Sequence, residues 1–395
     1  MADCHVAGGN EDGGAVGVLG AHQGLRDSSS LMAKNCSMCS TSRSGVFVMD
    51  GARAALEGCK CNGSSKNGLE TKGTGSTATA TACSFSNNKW PNVTAKEGAT
   101  VVLQDGCKCN ESESCGLMVT DKGSTATASA CSFSSNNNDN VCVCEGAAAM
   151  LLDGCASNYS KEVCGLWVSD KGSTVTASAC SFSNNKCNNV TAQEGATVVL
   201  QDGCKCNESE ENGLLVRGKG STATASACSF SSNAESNVLV QEGASALLLD
   251  GCACNDSKEE SGLWVSDKGS TATASACSFS SNNSDNVYVC EGAAAMLLDG
   301  CACNNSKQER GLRVTDKGST AIASACSFCS NDESNVLAQE GASALLQDSC
   351  QCNGSKEGSG WRAHGQGSVV IVRDSSASGN KLGSDAEQRG KVVSL

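Results

Sequence analysis

The chain repeats itself at a step of about 24 residues along most of its length. One motif, Gly-Leu-x-Val-(Ser/Thr)-Asp-Lys-Gly-Ser-Thr, recurs with variations from Gly68, Gly116, Gly165, Gly213, Gly262, Gly311 and, in a weaker copy, Gly360. A second motif, such as residues 286–292, lies between consecutive copies of the first. The two motifs superpose, so each unit of about 49 residues holds two coils, which we call coil A and coil B. Repeats this short predict a solenoid in which each coil packs only against its neighbours.

One cysteine per coil fixes the alignment of the coils. We predict that these cysteines form a buried core ladder: Cys83, Cys107, Cys131, Cys155, Cys180, Cys204, Cys228, Cys252, Cys277, Cys301 and Cys326. Two positions later, phenylalanine alternates with small residues, as in Phe133 and Ser157, which fills stacked layers without voids. No signal peptide is visible, so we expect a reducing compartment and free thiols. Disulfides along the ladder are the alternative, since adjacent Cα atoms would lie about 4.8 Å apart.

Each coil contains short runs of period-two alternation separated by Gly, Asp and Asn turns, which predicts three short strands per coil. Segments 130–136 and 372–380 resemble the strand–turn–strand segment of right-handed parallel β-helix repeats in the pectin-lyase-like superfamily, and the resemblance covers roughly residues 30–380. We therefore predict an all-β fold, a right-handed parallel β-helix solenoid of about 15 coils with ~24 residues per coil in alternating A/B pairs.

The predicted organisation has three parts. Residues 1–30 form an irregular N-terminal segment or cap, residues 31–383 form the parallel β-helix repeats, and residues 384–395 form a short C-terminal tail. Neither end shows an obvious capping helix. An uncapped β-helix exposes strand edges, which leaves open that the chain is a fragment of a longer protein.

Charge and hydropathy exclude several classes of partner. The 29 Lys and Arg against 42 Asp and Glu give a net charge of −13, which disfavours nucleic acid and anionic polysaccharides. No apolar run approaches 18 residues, so we expect no membrane span. The absence of a visible signal peptide predicts a cytoplasmic location. Secretion is the alternative, because Asn-x-Ser/Thr sequons recur at Asn62, Asn110, Asn158, Asn207, Asn255, Asn304 and Asn353.

The variable residue within Gly-Leu-x-Val and Asn-Val-x-Val is flanked by apolar positions, so on a strand it faces outward. We expect this column, called the strip below, to be an exposed apolar and aromatic face for a ligand or partner: Phe47, Met118, Trp167, Leu215, Leu239, Trp264, Tyr288 and Leu337. Aromatic side chains anchor protein interfaces and stack on sugars. The alternative is that strands favour aromatic residues wherever they lie.

A threonine column bears on ice binding. The position four residues before the ladder cysteine is Leu in coil B, as at Leu103, and Thr in five of the A coils: Thr79, Thr127, Thr176, Thr224 and Thr273. Because Leu shares this column, we predict that the threonines point inward. Ice binding needs ranks of outward threonines, so this prediction disfavours it.

The resemblance to pectin-lyase-like proteins implies a possible polysaccharide lyase or glycoside hydrolase, but the repeats contain no inserted loop to wall a cleft. The histidines, His5, His22 and His364, lie near the ends, and each recurring Asp is a turn residue. We therefore predict no enzyme activity, with such activity as the minor alternative.

We also predict no cofactor and no metal. Pairs such as Cys204 and Cys206 lack a closed tetrahedral ligand set. Stacked Glu and Asp residues make calcium binding conceivable, although they are turn residues first. The predicted function is a non-catalytic interaction scaffold that binds a protein partner through the strip. The alternative is binding of a neutral polysaccharide, or a degenerate lyase-like or hydrolase-like protein. Neither nucleic acid nor a membrane is an expected partner.

Overall fold

The structure, a computed structural model, describes residues 5–7, 16–19, 30–383, 385–388 and 390–395. Most of the predicted N-terminal segment 1–30, including His22, lies outside the described residues. The chain divides into two compact units, residues 1–191 with 195–199 and residues 192–194 with 200–395. Every regular element among the described residues is a β-strand. No described helix is long and apolar enough to cross a membrane.

Each unit contains two parallel sheets, which we call sheet A and sheet B. These labels are independent of coils A and B, since both kinds of coil contribute strands to both sheets. Sheet A of the first unit contains strands Val16–Leu19, Val46–Met49, Leu69–Lys72, Val93–Lys96, Leu117–Val119, Val141–Val143 and Leu166–Val168. Sheet B of the first unit contains Ser30–Lys34, Arg53–Glu57, Thr77–Thr81, Thr100–Gln104, Thr125–Ser129, Ala148–Leu152 and Thr174–Ser178. A short parallel pair joins His5–Ala7 to Ser37–Cys39.

The second unit repeats this arrangement. Its sheet A contains Leu214–Arg217, Val238–Gln241, Leu263–Val265, Val287–Val289, Leu312–Val314, Val336–Gln339, Trp361–His364 and Asp385–Gln388. Its sheet B contains Thr222–Ser226, Ser245–Leu249, Thr271–Ser275, Ala294–Leu298, Thr320–Ser324, Ser343–Gln347, Val369–Val372 and Lys391–Ser394. Strands Val190–Gln193 and Thr197–Gln201 have residues in both units. Two strands from the predicted C-terminal tail, 384–395, thus pair with sheets A and B.

The fold is an all-β parallel solenoid of about 15 turns with about 24 residues per turn. Inward apolar residues alternate with outward residues along the strands, as in Thr125–Ser129, where the two Ala side chains are buried. The predicted third strand of each coil is reduced to single bridges, such as Ser132 with Ala156. Two residues after such a bridge the backbone amide donates to an asparagine side chain, as from Ser134 to Asn110 Oδ1 at 2.8 Å, so the ladder does not extend.

Cysteine and phenylalanine fill the interior. The predicted ladder cysteines are all no more than 2% exposed. Adjacent rungs are linked by backbone amides, as where the Cys131 N–H donates to the Cys155 thiol at 3.4 Å. The described cysteines carry no disulfide. The phenylalanines two positions after alternate rungs are fully buried: Phe85, Phe133, Phe182, Phe230, Phe279 and Phe328.

The interior also contains a second ladder, made of asparagine side chains, which was not predicted from the sequence. Asn282 is a representative rung and is fully buried. Its Nδ2 donates to the Cys254 carbonyl at 3.1 Å and to Asn286 Oδ1 at 3.0 Å. Its Oδ1 accepts from the Ser257 N–H at 3.0 Å and from Asn237 Nδ2 at 3.0 Å. Asparagine suits this place because one side chain supplies both donors and acceptors to turns that have no strand partner.

The prediction that the coil A threonines point inward is wrong. Thr127 pairs with Val102, and both lie on the outward face of sheet B, whereas Leu103 pairs with the buried Ala128. The error comes from turn length. In coil A one left-handed residue, such as Ala130, separates the strand from the ladder cysteine, whereas coil B uses an Asp-Gly pair. Counting back from the cysteine therefore reaches opposite faces, because side chains alternate with period two. Thr79, Thr176, Thr224 and Thr273 are outward for the same reason.

Candidate functional site

The strip lies on the outward face of sheet A, but it is not freely exposed. Seven members are half-buried: Phe47, Met118, Trp167, Leu215, Leu239, Trp264 and Tyr288. Leu337 is only 3% exposed, and so its predicted exposure is wrong. The polar members Glu70 and Thr94 in the same column are also buried. Something other than a neighbouring strand must therefore cover this face.

The cover comes from the turn that precedes each strand. The side chain three residues before a strip position reaches the strip residue of the next coil. Thus Ser44 Oγ donates to Glu70 Oε2 at 2.9 Å, and Asn67 Nδ2 donates to Thr94 Oγ1 at 2.7 Å. We call these preceding positions the cover column. The strip and the cover column form a shallow seam along sheet A in each unit.

In the second unit the seam contains a stack of rings. The centroids of Trp264 and Tyr288 lie 5.5 Å apart, with their planes tilted by 37°. The guanidinium of Arg313 lies 5.0 Å from the Tyr288 ring centroid. The Trp264 indole N–H donates to the Cys290 thiol at 3.3 Å. Both faces of Tyr288 are thus engaged by protein groups, because consecutive strip residues stack along the sheet.

A buried carboxylate, Asp285, occupies the cover column beside this stack and is 2% exposed. It lies 3.8 Å from Arg310 and 3.7 Å from Arg313. Burial raises the pKa of Asp285 to about 7, although the two arginines oppose that shift. A cleft of about 200 Å³ lies here, lined in part by Glu259, Glu260 and Trp264. Asp285 and Arg313 also line this cleft, but Asp285 is only 2% exposed and its carboxylate faces the two arginines.

In the first unit the seam contains thiols instead of cations. Trp167 and Met118 pack against a buried cluster of Cys115, Cys142 and Cys144. Asp139, in the cover column of the same coil as Cys142, is 7% exposed. Its carboxylate accepts from the Cys164 N–H at 3.0 Å, and burial raises the pKa of Asp139 to about 6.

The repeated acidic residues serve the turns. Asp121 Oδ2 accepts from the Glu97 N–H at 3.0 Å, and Asp267 Oδ2 accepts in the same way from Glu242 at 3.1 Å. Glu97 itself has a positive φ of 56°. These carboxylates accept hydrogen bonds from backbone N–H groups in tight turns. This structural role explains why they recur, and no ligand is needed to explain it.

The outward face of sheet B is the more accessible surface. Its exposed apolar side chains include Met150 at 46%, Leu247 at 36% and Met296 at 41%. Outward threonines of coil A alternate with these aliphatic residues of coil B. No outward position is charged in the strands from Thr77–Thr81 to Thr174–Ser178, or from Thr222–Ser226 to Val369–Val372. This is unusual in a chain of which 18% is charged.

Sequence reasoning missed the cover column and the sheet B face. The cover residues Cys115, Asp139 and Asp285 each lie three residues before a strip position, and this constant spacing could have identified them from the sequence. The contact joins different columns in neighbouring coils, so alignment of one column does not show it. The sheet B face was hidden by the mistaken orientation of the threonines.

The sequence matches the family model described as "Right handed beta helix region" twice, over residues 24–178 and 164–328, together more than half of the chain. The chain belongs to the right-handed β-helix family. No curated protein sequence matches this β-helix chain.

Several solved structures are similar to this β-helix protein. A chain of the cryo-EM Vag8–C1 inhibitor complex aligns with 14% identity over 100% of both chains, with a TM-score of 0.49. The A-module of the mannuronan C-5 epimerase AlgE6 from Azotobacter vinelandii aligns with 11% identity over 93% of this chain and 91% of that chain, with a TM-score of 0.39. A hyper-glycosylated TibA fragment aligns with 14% identity over 96% and 97% of the two chains, with a TM-score of 0.27. Such similarities say nothing about what this chain does.

Proposed function

We propose that this protein is a non-catalytic β-helix scaffold that binds a protein partner through the outward face of sheet B. The observation that carries the proposal is the absence of charge from that face between Thr77–Thr81 and Thr174–Ser178 and between Thr222–Ser226 and Val369–Val372, together with its exposed Met and Leu side chains. Interface cores are depleted in charged residues and enriched in Met relative to other protein surfaces. An exposed apolar face of this kind marks an interaction site.

The strip is a weaker candidate for the same role. Its members are half-buried or buried, and the cover column occupies the space beside them. Trp264 and Tyr288 reach the surface at the small cleft that they line, which leaves a partner little ring area to contact. The partner surface that the sequence predicts on sheet A is therefore better assigned to sheet B.

A non-catalytic role is supported by the state of the carboxylates. Asp285 is buried under two arginines, and the recurring turn aspartates accept backbone hydrogen bonds. A general acid or base must reach its substrate within hydrogen-bonding distance. The carboxylates of Asp285 and of these turn aspartates already contact arginines or backbone N–H groups of the protein. We also propose a cytoplasmic location, where thiols stay reduced, with secretion as the alternative.

Binding of a neutral polysaccharide is the second candidate, favoured by the cleft beside Trp264 and Glu260. Sugar stacking needs a free ring face, and Tyr288 offers none because Trp264 and Arg313 cover it. Ice binding has less support, since Met150, Leu247 and Met296 interrupt the outward threonine ranks.

The experiment is affinity capture from extracts of the source cells, quantified by mass spectrometry. The double variant Leu247→Lys and Met296→Lys places two charges on the sheet B face. Leu382→Lys is the matched control, because Leu382 is 60% exposed and lies outside the strands of sheet B. We expect the double variant to lose a protein that the wild type and the control both retain. Equal recovery by all three proteins would contradict the proposal.

A tryptophan-fluorescence titration with neutral polysaccharides tests the second candidate separately. We expect no saturable change. A saturable change that is lost in Trp264→Ala, and kept in the sheet B double variant, would support polysaccharide binding in place of the scaffold role.

A further inference from the structure

We propose that the thiol cluster of the first unit is a binding site for a thiophilic divalent cation of the Zn²⁺ class, with Cys115, Asp139 and Cys142 as ligands. The ligand atoms of these three residues all lie within 4.8 Å of one another. All three side chains are more than nine-tenths buried. Two thiolates at about 2.3 Å from a tetrahedral ion lie about 3.8 Å apart, so a small contraction would bring these donors into place.

The diagonal contact between cover column and strip explains how residues from two coils meet. Cys115 is the cover residue whose next-coil strip neighbour is Cys142, in the same relation as Ser44 to Glu70. Asp139 belongs to the coil of Cys142, three residues earlier. The side chains of Cys115, Cys142 and Cys144 pack together in one buried cluster. The Cys144 thiol donates to Thr120 Oγ1 at 3.4 Å and is outside the group of mutually close donor atoms, so water would supply the fourth ligand.

The charge of Asp139 is the second argument for a cation. Asp285 holds the corresponding place in the second unit, where Arg310 and Arg313 lie at 3.8 and 3.7 Å. At Asp139 those two neighbours are replaced by Cys164 and Trp167. Among the described residues, the polar contacts of the Asp139 carboxylate are backbone N–H groups. A buried carboxylate is costly unless it is paired with a cation or coordinates a metal.

The donor types suit a borderline or soft ion. Thiolate with carboxylate is a Zn²⁺ ligand set, whereas Mg²⁺ and Ca²⁺ prefer oxygen donors alone. Binding would release the protons of the two ligand thiols and leave their electron pairs on the metal. Met118 and Trp167 pack against the cluster and shield it from water. The ladder cysteines differ, because their thiols already bond to backbone groups of the interior.

The test uses the full chain, reduced and freed of metal, titrated with Co²⁺ as the spectroscopic probe for Zn²⁺. We expect one Co²⁺ with the visible spectrum of tetrahedral thiolate coordination, displaced by Zn²⁺. Cys142→Ser should abolish that spectrum. Asp139→Asn has nearly the same shape and should weaken Co²⁺ binding at least about tenfold. Circular dichroism of each variant checks that the β-solenoid is retained.

Cys290→Ser is the matched control. Cys290 follows Tyr288 by two residues, just as Cys144 follows Cys142, but the adjacent strip residue in the second unit is not a thiol. We expect the Co²⁺ spectrum of Cys290→Ser to equal that of the wild type. The proposal is overturned if the wild type gives no tetrahedral spectrum, or if a folded Cys142→Ser variant keeps it. A Cys115–Cys142 disulfide that persists in reductant would also overturn it, because both ligands would be consumed.

Discussion

Replacing Asn282 with alanine tests whether the asparagine ladder stabilises the solenoid. The substitution removes four hydrogen bonds, two donated by Asn282 Nδ2 and two accepted by its Oδ1. Each such bond contributes about 0.5–1.5 kcal/mol net. The loss therefore amounts to about 2–6 kcal/mol, and the buried partners left without a bond favour the upper half of that range.

The assay is urea denaturation followed by circular dichroism, with hydrogen exchange at the Ser257 amide as a local measure. Hydrogen exchange is included because repeat arrays often unfold in stages. Asn283→Ala is the control, since Asn283 is only half-buried and its side-chain contact is an exposed one with Gln308 at 3.2 Å. We expect Asn283→Ala to change the free energy of unfolding by less than about 0.5 kcal/mol. Equal effects of the two substitutions would refute the reasoning.

Three further predictions concern the second unit. Because burial raises the pKa of Asp285 to about 7, the folded state holds that proton more tightly than the unfolded chain. The free energy of unfolding should therefore fall, by at most about 4 kcal/mol, as pH rises from about 4 to 7; Asp285→Asn should flatten this fall in pH-dependent urea titrations, and an unchanged slope would contradict it. Phe279→Ala should lower the free energy of unfolding by about 3–5 kcal/mol through the cavity it leaves, and a loss below about 1 kcal/mol in urea titrations would show a loosely packed interior. Ala227→Gly should raise the melting temperature because Ala227 has a φ of 55°, whereas Ala225→Gly in the adjacent strand should lower it; shifts of the same sign would count against the turn geometry.

Much of the fold follows from the sequence for a simple reason. A 24-residue period with period-two alternation leaves few ways to bury the apolar side chains other than stacked parallel strands. The cysteine column and the alternating phenylalanines then identify the interior, as their burial shows. The asparagine ladder was not predicted, because Asn-rich segments between strands resemble ordinary turns.

The candidate surfaces were harder to predict because they depend on single residues. One additional turn residue in coil B, as at Asp105–Gly106, reverses which face a position occupies when coils are aligned by their cysteines. The strip is less exposed than predicted for a different reason. Alternation shows that Trp264 points away from the interior, but it does not show that the preceding turn covers that side. Such cover depends on contacts between coils.

Photo-cross-linking from the sheet B face tests the central claim most directly. A photoreactive residue at Met296 is compared with one at Tyr159, which is 58% exposed and lies outside both sheets. The account predicts that Met296 cross-links a defined protein partner in cells, that excess unlabelled wild type competes the cross-link away, and that Tyr159 gives no such product. Cross-linking of the same protein from both positions, or no protein from Met296, would contradict the account.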